Sequence, residues 1–247
     1  MSFDDIESAI AAQPWDAAFD PAMTDGLPAP AARFLRRAIA PRAALAREVR
    51  LELAGSVMQK GRRLALTARE HLVPLRGFTW EARGRIGPVP VVVRDHYHAG
   101  ESAVDVRIFG LIPLGGERGE DTTMSSRGRL AAESLWVPSM LLPQDGVTWT
   151  PVGDDRARVE FSIDGHLESM VTTVDPEGRL LEIRMERWGS AGVERPQRIP
   201  YGFRVLAERA FGDYTIASEL EGGWHYGTDA FRSETASRFT VLDAVFA

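Results

Sequence analysis

Residues Arg129–Leu142 read RLAAESLWVPSMLL, and this stretch decides the fold. Leu130, Ala131, Ala132, Leu135, Trp136, Val137, Met140, Leu141 and Leu142 would cover every side of a helix, and a helix that is apolar all round is a buried one. Pro138 lacks the N–H that a helix needs and disfavours helical geometry at Val137, so the helix is expected to break near Trp136 and to resume as a short turn at Ser139. Glu133 stands out in this company. A buried carboxylate must be paired, hydrogen-bonded or protonated, and Arg129, one helical turn earlier, is within reach. An ion pair with strand arginines that anchors the helix is the alternative to a functional carboxylate.

Around this segment the sequence has the period of strands. Val49, Leu51 and Leu53 alternate with Arg50 and Glu52. Phe78, Trp80 and Ala82 alternate with Thr79, Glu81 and Arg83, and Val104, Val106 and Ile108 with Asp105 and Arg107. Such alternation marks half-buried antiparallel strands. Beyond the helix the pattern returns in Ala157, Val159, Phe161 and Ile163 and continues, after a two-residue turn at Asp164-Gly165, in Leu167, Ser169 and Val171. A second hairpin at Asp175–Gly178 joins Met170–Val174 to Leu180–Trp188. Phe203–Arg209, Tyr214–Leu220, Trp224–Asp229 and Arg238–Val245 complete about ten or eleven strands, a number at which a twisted sheet curls. The expected fold is α+β and mainly antiparallel β, a curled sheet or half-barrel closed over a short helical plug at 125–142. The plug would lie between a Gly-rich loop, Gly115–Gly119, and a turn at Gln144-Asp145-Gly146.

The first 45 residues read as a helical lead-in to a β domain at 46–247. Asp4–Ala12 suits one short helix. After Gly26, Pro28 and Pro30, the run Ala31–Ala40 sets Phe34, Leu35 and Ile39 on one side and Arg33, Arg36 and Arg37 elsewhere, up to the stop at Pro41.

Composition narrows the function classes. The net charge is −6 and the 29 basic residues are spread along the chain, so no basic face is expected for nucleic acid. With no cysteine there are no disulfides, thiolate metal sites or cysteine nucleophiles. The acidic N-terminus does not read as a secretory signal, no stretch reads as a transmembrane helix, and the cytoplasm is the expected address. Neither a Gly-x-Ser-x-Gly elbow nor a phosphate loop is present.

The string Arg129-x3-Glu133-x2-Trp136-x-Pro138-x2-Leu141-Leu142-Pro143, followed by Gly146-Val147-x-Trp149, resembles the core motif of a functionally uncharacterised bacterial family. Phe78-x-Trp80-x-Ala82, Asp95-x-Tyr97 and Phe109-Gly110 fit the same pattern. Members of that family are similar in fold to lipoprotein carriers of the LolA and LppX type, antiparallel half-barrels closed over a helical plug. The resemblance implies a concave, mostly apolar surface able to hold a hydrophobic molecule, here without the signal peptide and lipidated cysteine of exported proteins.

Three functions are therefore expected in competition. In the first, Trp80, Tyr97, Trp136, Trp224 and Tyr226 line a site for a hydrophobic or lipid-like small molecule, with Arg107, Arg129 and Glu133 serving its polar part. The second is a cofactor-independent isomerase, cyclase or lyase with Glu133 and His96 or Tyr97 as acid and base. The third is an interaction role without a ligand, favoured by an interior without a cavity. His96 and His98 share one strand face as metal-chelating pairs do, but no spacing singles out a third ligand, so neither a metal nor a cofactor is expected. The oligomeric state is not readable.

Overall fold

The structure is a computed structural model that describes residues 3–13, 15–59, 62–144, 146–232 and 236–247. Among these, thirteen strands form one antiparallel sheet. They are β1 (Val49–Gln59), β2 (Arg62–Val73), β3 (Gly77–Ile86), β4 (Val89–His98), β5 (Glu101–Ile108), β6 (Ile112–Arg118), β7 (Val147–Pro151), β8 (Arg156–Ile163), β9 (His166–Val174), β10 (Leu180–Gly189), β11 (Gln197–Phe211), β12 (Tyr214–Trp224) and β13 (Ser237–Phe246). The sheet consists of two meanders, β1 to β6 and β7 to β13, fused where β1 pairs with β13. The chain therefore starts at the middle of the sheet, runs out to one edge, crosses to the other edge and returns.

The crossing is the helical plug. Helix α3 (Glu120–Glu133) passes over the concave face, followed by a 3-10 turn at Ser134–Trp136 and another at Pro138–Leu141. Between the turns Val137 is held at φ −125° and ψ 74°, the break that Pro138 requires. Leu130, Ala131, Val137 and Leu141 are fully buried. The indole of Trp136 donates to the Ala217 carbonyl (3.1 Å) and that of Trp149 to the Leu141 carbonyl (2.8 Å), so both large rings bury without losing a hydrogen bond.

The helical lead-in has two parts. Helix α1 (Phe3–Ile10) lies on the convex face, where Ile6 and Ile10 pack on Val73. Helix α2 (Ala29–Ala38) packs Phe34, Leu35 and Ala38 into the main core. Pro30, expected as a breaker, belongs to the first turn of α2, where its missing N–H costs nothing.

Three expectations need correction. Trp224–Asp229 is not a strand: β12 ends at Trp224 and the chain turns at His225, whose φ is 61°. Strands β2, β6 and β7, absent from the sequence reading, raise the number above ten or eleven, and β6 takes in most of the Gly115–Gly119 stretch expected as a loop. In β9 the inward phase is Glu168, Met170, Thr172 and Val174, while Leu167 is 65% exposed. The Asp164-Gly165 turn is as expected, but Phe161 pairs with Glu168, so the inward position falls on a carboxylate that the apolar pattern had passed over. The turn expected at Gln144-Asp145-Gly146 includes Asp145, which lies outside the described residues. No helix among the described residues is long and apolar enough to cross a membrane.

The two meanders meet beneath the plug. Tyr97 of β4, fully buried, donates its hydroxyl to Asp164 in the β8–β9 turn (2.7 Å), and the same carboxylate accepts the Gly100 N–H (3.0 Å). Replacing Tyr97 by Phe removes this tie while keeping the ring. Because Asp164 retains access to water, the variant is expected to be about 1 kcal/mol less stable, read as a lower urea midpoint at unchanged slope.

Candidate functional site

A buried ion cluster sits where α3 crosses β2, β3 and β4. The Arg129 guanidinium donates from Nε to Glu133 (2.8 Å), from Nη1 to Asp95 (2.9 Å) and from Nη2 to Glu70 (3.0 Å). The guanidinium carbon also lies 4.5 and 5.0 Å from the ring centroids of Phe78 and Trp80, so that three donors and the π surface of a single side chain are used together. Register explains the convergence. Glu70 pairs with Trp80 and Trp80 with Asp95 across adjacent strands, placing all three side chains in one row on the concave face.

Arg129 alone is hydrogen-bonded to three carboxylates, the Arg187 charge also acts on Asp95, and burial favours the protonated form of Glu70. Burial first, and then repulsion from Glu133, push the Glu70 carboxyl well above its ordinary value. Burial also raises Asp95, against the pull of Arg129. Glu70 Oε2, Asp95 Oδ1 and Glu133 Oε2 are buried without a fixed donor. A protonated Glu70 supplies one donor, and Glu133 is the neighbour that receives it. Asp95 Oδ1 is then left without a fixed donor.

Beside the cluster is a cavity of about 270 Å³. One wall is Leu53 and Val57 of β1, Leu220 of β12 and Phe239 of β13; the other is Tyr201 and Phe203 of β11 with Trp224. The floor carries Ala132, Leu135 and Trp136 from the plug, with Arg129, Glu133, Glu70, Asp95 and Trp80 at one end. Arg187 of β10 also lines the cavity, close enough for its charge to act on Asp95. Its guanidinium lies 4.6 Å from the Tyr201 ring centroid and 4.9 Å from that of Trp224, and its Nε donates to the Ser125 carbonyl (3.0 Å). Gly128 of α3 is what lets this arginine through: a Cβ there would stand 2.8 Å from Arg187 Cγ.

Trp80, Arg129, Glu133, Trp136 and Trp224, all expected at a ligand site, line this one cavity. Four other candidates lie elsewhere. His96 and Arg107 line a polar groove on the convex face beside α1, because they occupy the opposite strand phase from Asp95. Tyr226 is also outside, over Gly202, with its hydroxyl on Glu182 (2.9 Å). Tyr97 faces inward but is spent on Asp164. Burial first, and then the Asp164 hydrogen bond, raise its phenol so far that it keeps its proton. The acid–base constellation of Glu133 with His96 or Tyr97 is therefore not assembled. Glu133 does pair with Arg129 as expected, but the strand partners of the cluster are acids rather than arginines.

Glu70, Asp95, Arg187 and Tyr201 were not among the sequence candidates. Three of them carried a signal. Glu70 falls in the apolar phase Leu66, Ala68, Leu72, Asp95 in the phase Val91, Val93, Tyr97, and Arg187 in the phase Ile183, Met185, so each is a charged residue in a position that points to the core. Tyr201, in phase with Ile199 and Phe203, gives no such anomaly.

Two substitutions separate the roles in the cluster. Arg129→Met leaves carboxylates buried without their cation and is expected to cost about 3–5 kcal/mol. Glu70→Gln keeps the shape and mimics the protonated acid. In the native chain, Glu70 ionises in the unfolded state above about pH 4.5 while the folded state holds the proton, so stability falls as pH rises from there through the raised folded value. Glu70→Gln is expected to flatten that fall in urea melts taken at successive pH values, with Asp95 leaving a residual slope of the same sign.

Solved structures similar to this chain include a LolA superfamily protein from Nitrosomonas europaea, with 7% identity over 88% of this chain and 92% of that one and a TM-score of 0.47. Another is a putative outer membrane lipoprotein-sorting protein domain from Vibrio parahaemolyticus, with 10% identity over 81% and 85% and a TM-score of 0.42. A third, from Desulfovibrio piger, is a DUF1329 family protein with 10% identity over 81% and 84% and a TM-score of 0.32. No curated protein matches the chain. The model of a family of unknown function, DUF6544, matches residues 17–233, and the chain belongs to that family.

Proposed function

We propose that the protein binds a hydrophobic or lipid-like small molecule in the concave face of the half-barrel. The observation that carries this reading is the pairing, in one cavity, of apolar walls with a buried ionic floor that still has an acceptor to offer. Trp80, Trp136, Trp224, Tyr201 and Phe203 supply aromatic surface at one opening. A purely structural ion cluster needs no such opening beside it.

The chemistry of the floor narrows the ligand. Asp95 Oδ1 accepts hydrogen bonds and has no fixed donor, so a head group with an O–H or N–H donor fits there. Arg187, already engaged with two rings and Ser125, orients the aromatic wall. At about 270 Å³ the cavity lies just below the roughly 300–1,000 Å³ of drug-sized sites. A short chain or ring fills it, and any longer tail has to leave through its opening. The cysteine-free composition agrees with a reducing compartment, and the cytoplasm is the address that belongs with this reading.

Protein purified from its own host and examined by native mass spectrometry is expected to retain a small molecule that denaturation releases. Ser237→Trp, which fills the mouth from the start of β13, should abolish retention with the thermal midpoint kept within a few degrees. Repeated recovery of an empty protein, or equal retention by Ser237→Trp, overturns the proposal.

A further inference from the structure

Three successive hairpin tips, β1–β2, β3–β4 and β5–β6, lie at one end of the first meander, the end at which Val57 stands at the cavity mouth. The described residues that form these tips, 57–59, 62–68, 82–93 and 106–116, contain no Asp or Glu, although Asp and Glu number 35 in the chain. They contain Arg62, Arg63, Arg83, Arg85 and Arg107. In a protein of net charge −6, these tips thus carry no acid of their own, and of their arginines Arg83 is paired with Glu81 (2.8 Å) just inside β3.

The same end exposes large apolar side chains. Leu111 is 75% exposed, Phe109 62%, Ile112 59%, Leu114 54% and Ile86 45%. Four of these five fall within six residues of one hairpin, and a contiguous apolar patch of that kind on a soluble surface signals contact with something.

The β5–β6 turn itself carries a second, independent observation. Leu111 N–H closes it on the Ile108 carbonyl (3.0 Å), and both central residues have positive φ, Phe109 at 54° and Gly110 at 71°. Asn, Asp or Gly suits the first of these positions. The β8–β9 turn of this chain has Asp164-Gly165 there, at φ 49° and 78°. At Phe109 a large side chain stands in a left-handed conformation that L-residues avoid, and its ring makes up for this with little burial. Strain of this kind persists where a function requires the residue.

We propose that this end of the half-barrel docks on an anionic lipid bilayer surface. Phe109, Leu111, Ile112 and Leu114 would enter the interfacial layer, with Arg85, Arg107 and the arginines of the β1–β2 tip toward the head groups. Apolar side chains with arginines on the same and neighbouring tips, in a chain of net negative charge, match such a surface in both hydrophobicity and charge. A second copy of this acidic chain would bring no such charge complement to the basic tips.

Flotation of the full chain with vesicles tests the proposal. Vesicles of phosphatidylcholine with one quarter phosphatidylglycerol are expected to carry the protein up the gradient, and pure phosphatidylcholine much less of it. Raising salt should weaken the anionic binding. The double variant Phe109→Asn, Leu111→Ser is expected to lose at least tenfold in vesicle affinity with its thermal midpoint unchanged or higher, since Asn suits the turn. No flotation with anionic vesicles, or equal flotation of the double variant, overturns the proposal. So does a concentration-dependent dimer that the double variant loses, which would show that a second copy covers the patch. Vesicle flotation and ligand retention are separate readouts, so failure of one leaves the other proposal standing.

Discussion

The two arginines on the plug, Arg127 and Arg129, are the constraint on which the rest of the structure depends. Two residues apart on a helix, they point in directions about 200° apart. Arg129 reaches Glu70 and Asp95 in the first meander. Arg127 donates to Glu168 of β9 in the second (3.1 Å), with both side chains buried, and Arg198 adds a further contact to that carboxylate (3.3 Å). The helix is thus tied to both halves of one sheet from opposite sides. The sheet can curl because it has something to curl around, and the helix can cross because each half offers it an acid.

Buried ion pairs seldom add much net stability over an apolar equivalent, because desolvation takes back most of the Coulomb attraction. Removing one partner is nonetheless severe. Such pairs set position. Here they fix the helix along its axis and in rotation, so that Gly128 faces Arg187 and Trp136 meets Ala217. The cavity owes its shape to this placement. Its floor is the same set of charged groups that seats the helix, so the polar chemistry open to a ligand and the geometry of the fold are one arrangement.

The course of the chain was largely legible in the sequence. Alternation located most strands, Asp164-Gly165 marked its turn, and the all-round apolar surface of 130–142 identified a buried crossing segment with a break before Pro138. Legibility failed where side-chain type and burial part company. Glu70, Asp95 and Glu168 occupy core phases, and a reading that follows apolar residues skips them or, in β9, chooses the wrong face. Arg107 and Tyr226 were assigned to the interior because aromatic and cationic residues suit a ligand site, yet strand phase and the turn at His225 put them outside. Arg187 reaches the cavity through a gap left by a missing side chain on a helix far away in sequence, and that gap exists only in three dimensions.

The seam between β1 and β13 has a consequence for how the molecule forms. The strand laid down first after the helical lead-in finds one of its two neighbours only in residues 237–246, with Arg47 and Glu48 hydrogen-bonded to Ala247 beyond them. During synthesis β1 therefore carries an open edge in what will become the centre of the sheet, and no local hairpin can cover it. Contacts this distant in sequence make for slow folding, and an open edge invites pairing with foreign strands. The lead-in strap packed beside this edge, with Ala46 and Ala44 held by the Tyr214 hydroxyl, reaches its own partner just as late. The half-barrel thus closes at its middle last, and a growing chain is most vulnerable where the finished protein is most deeply paired.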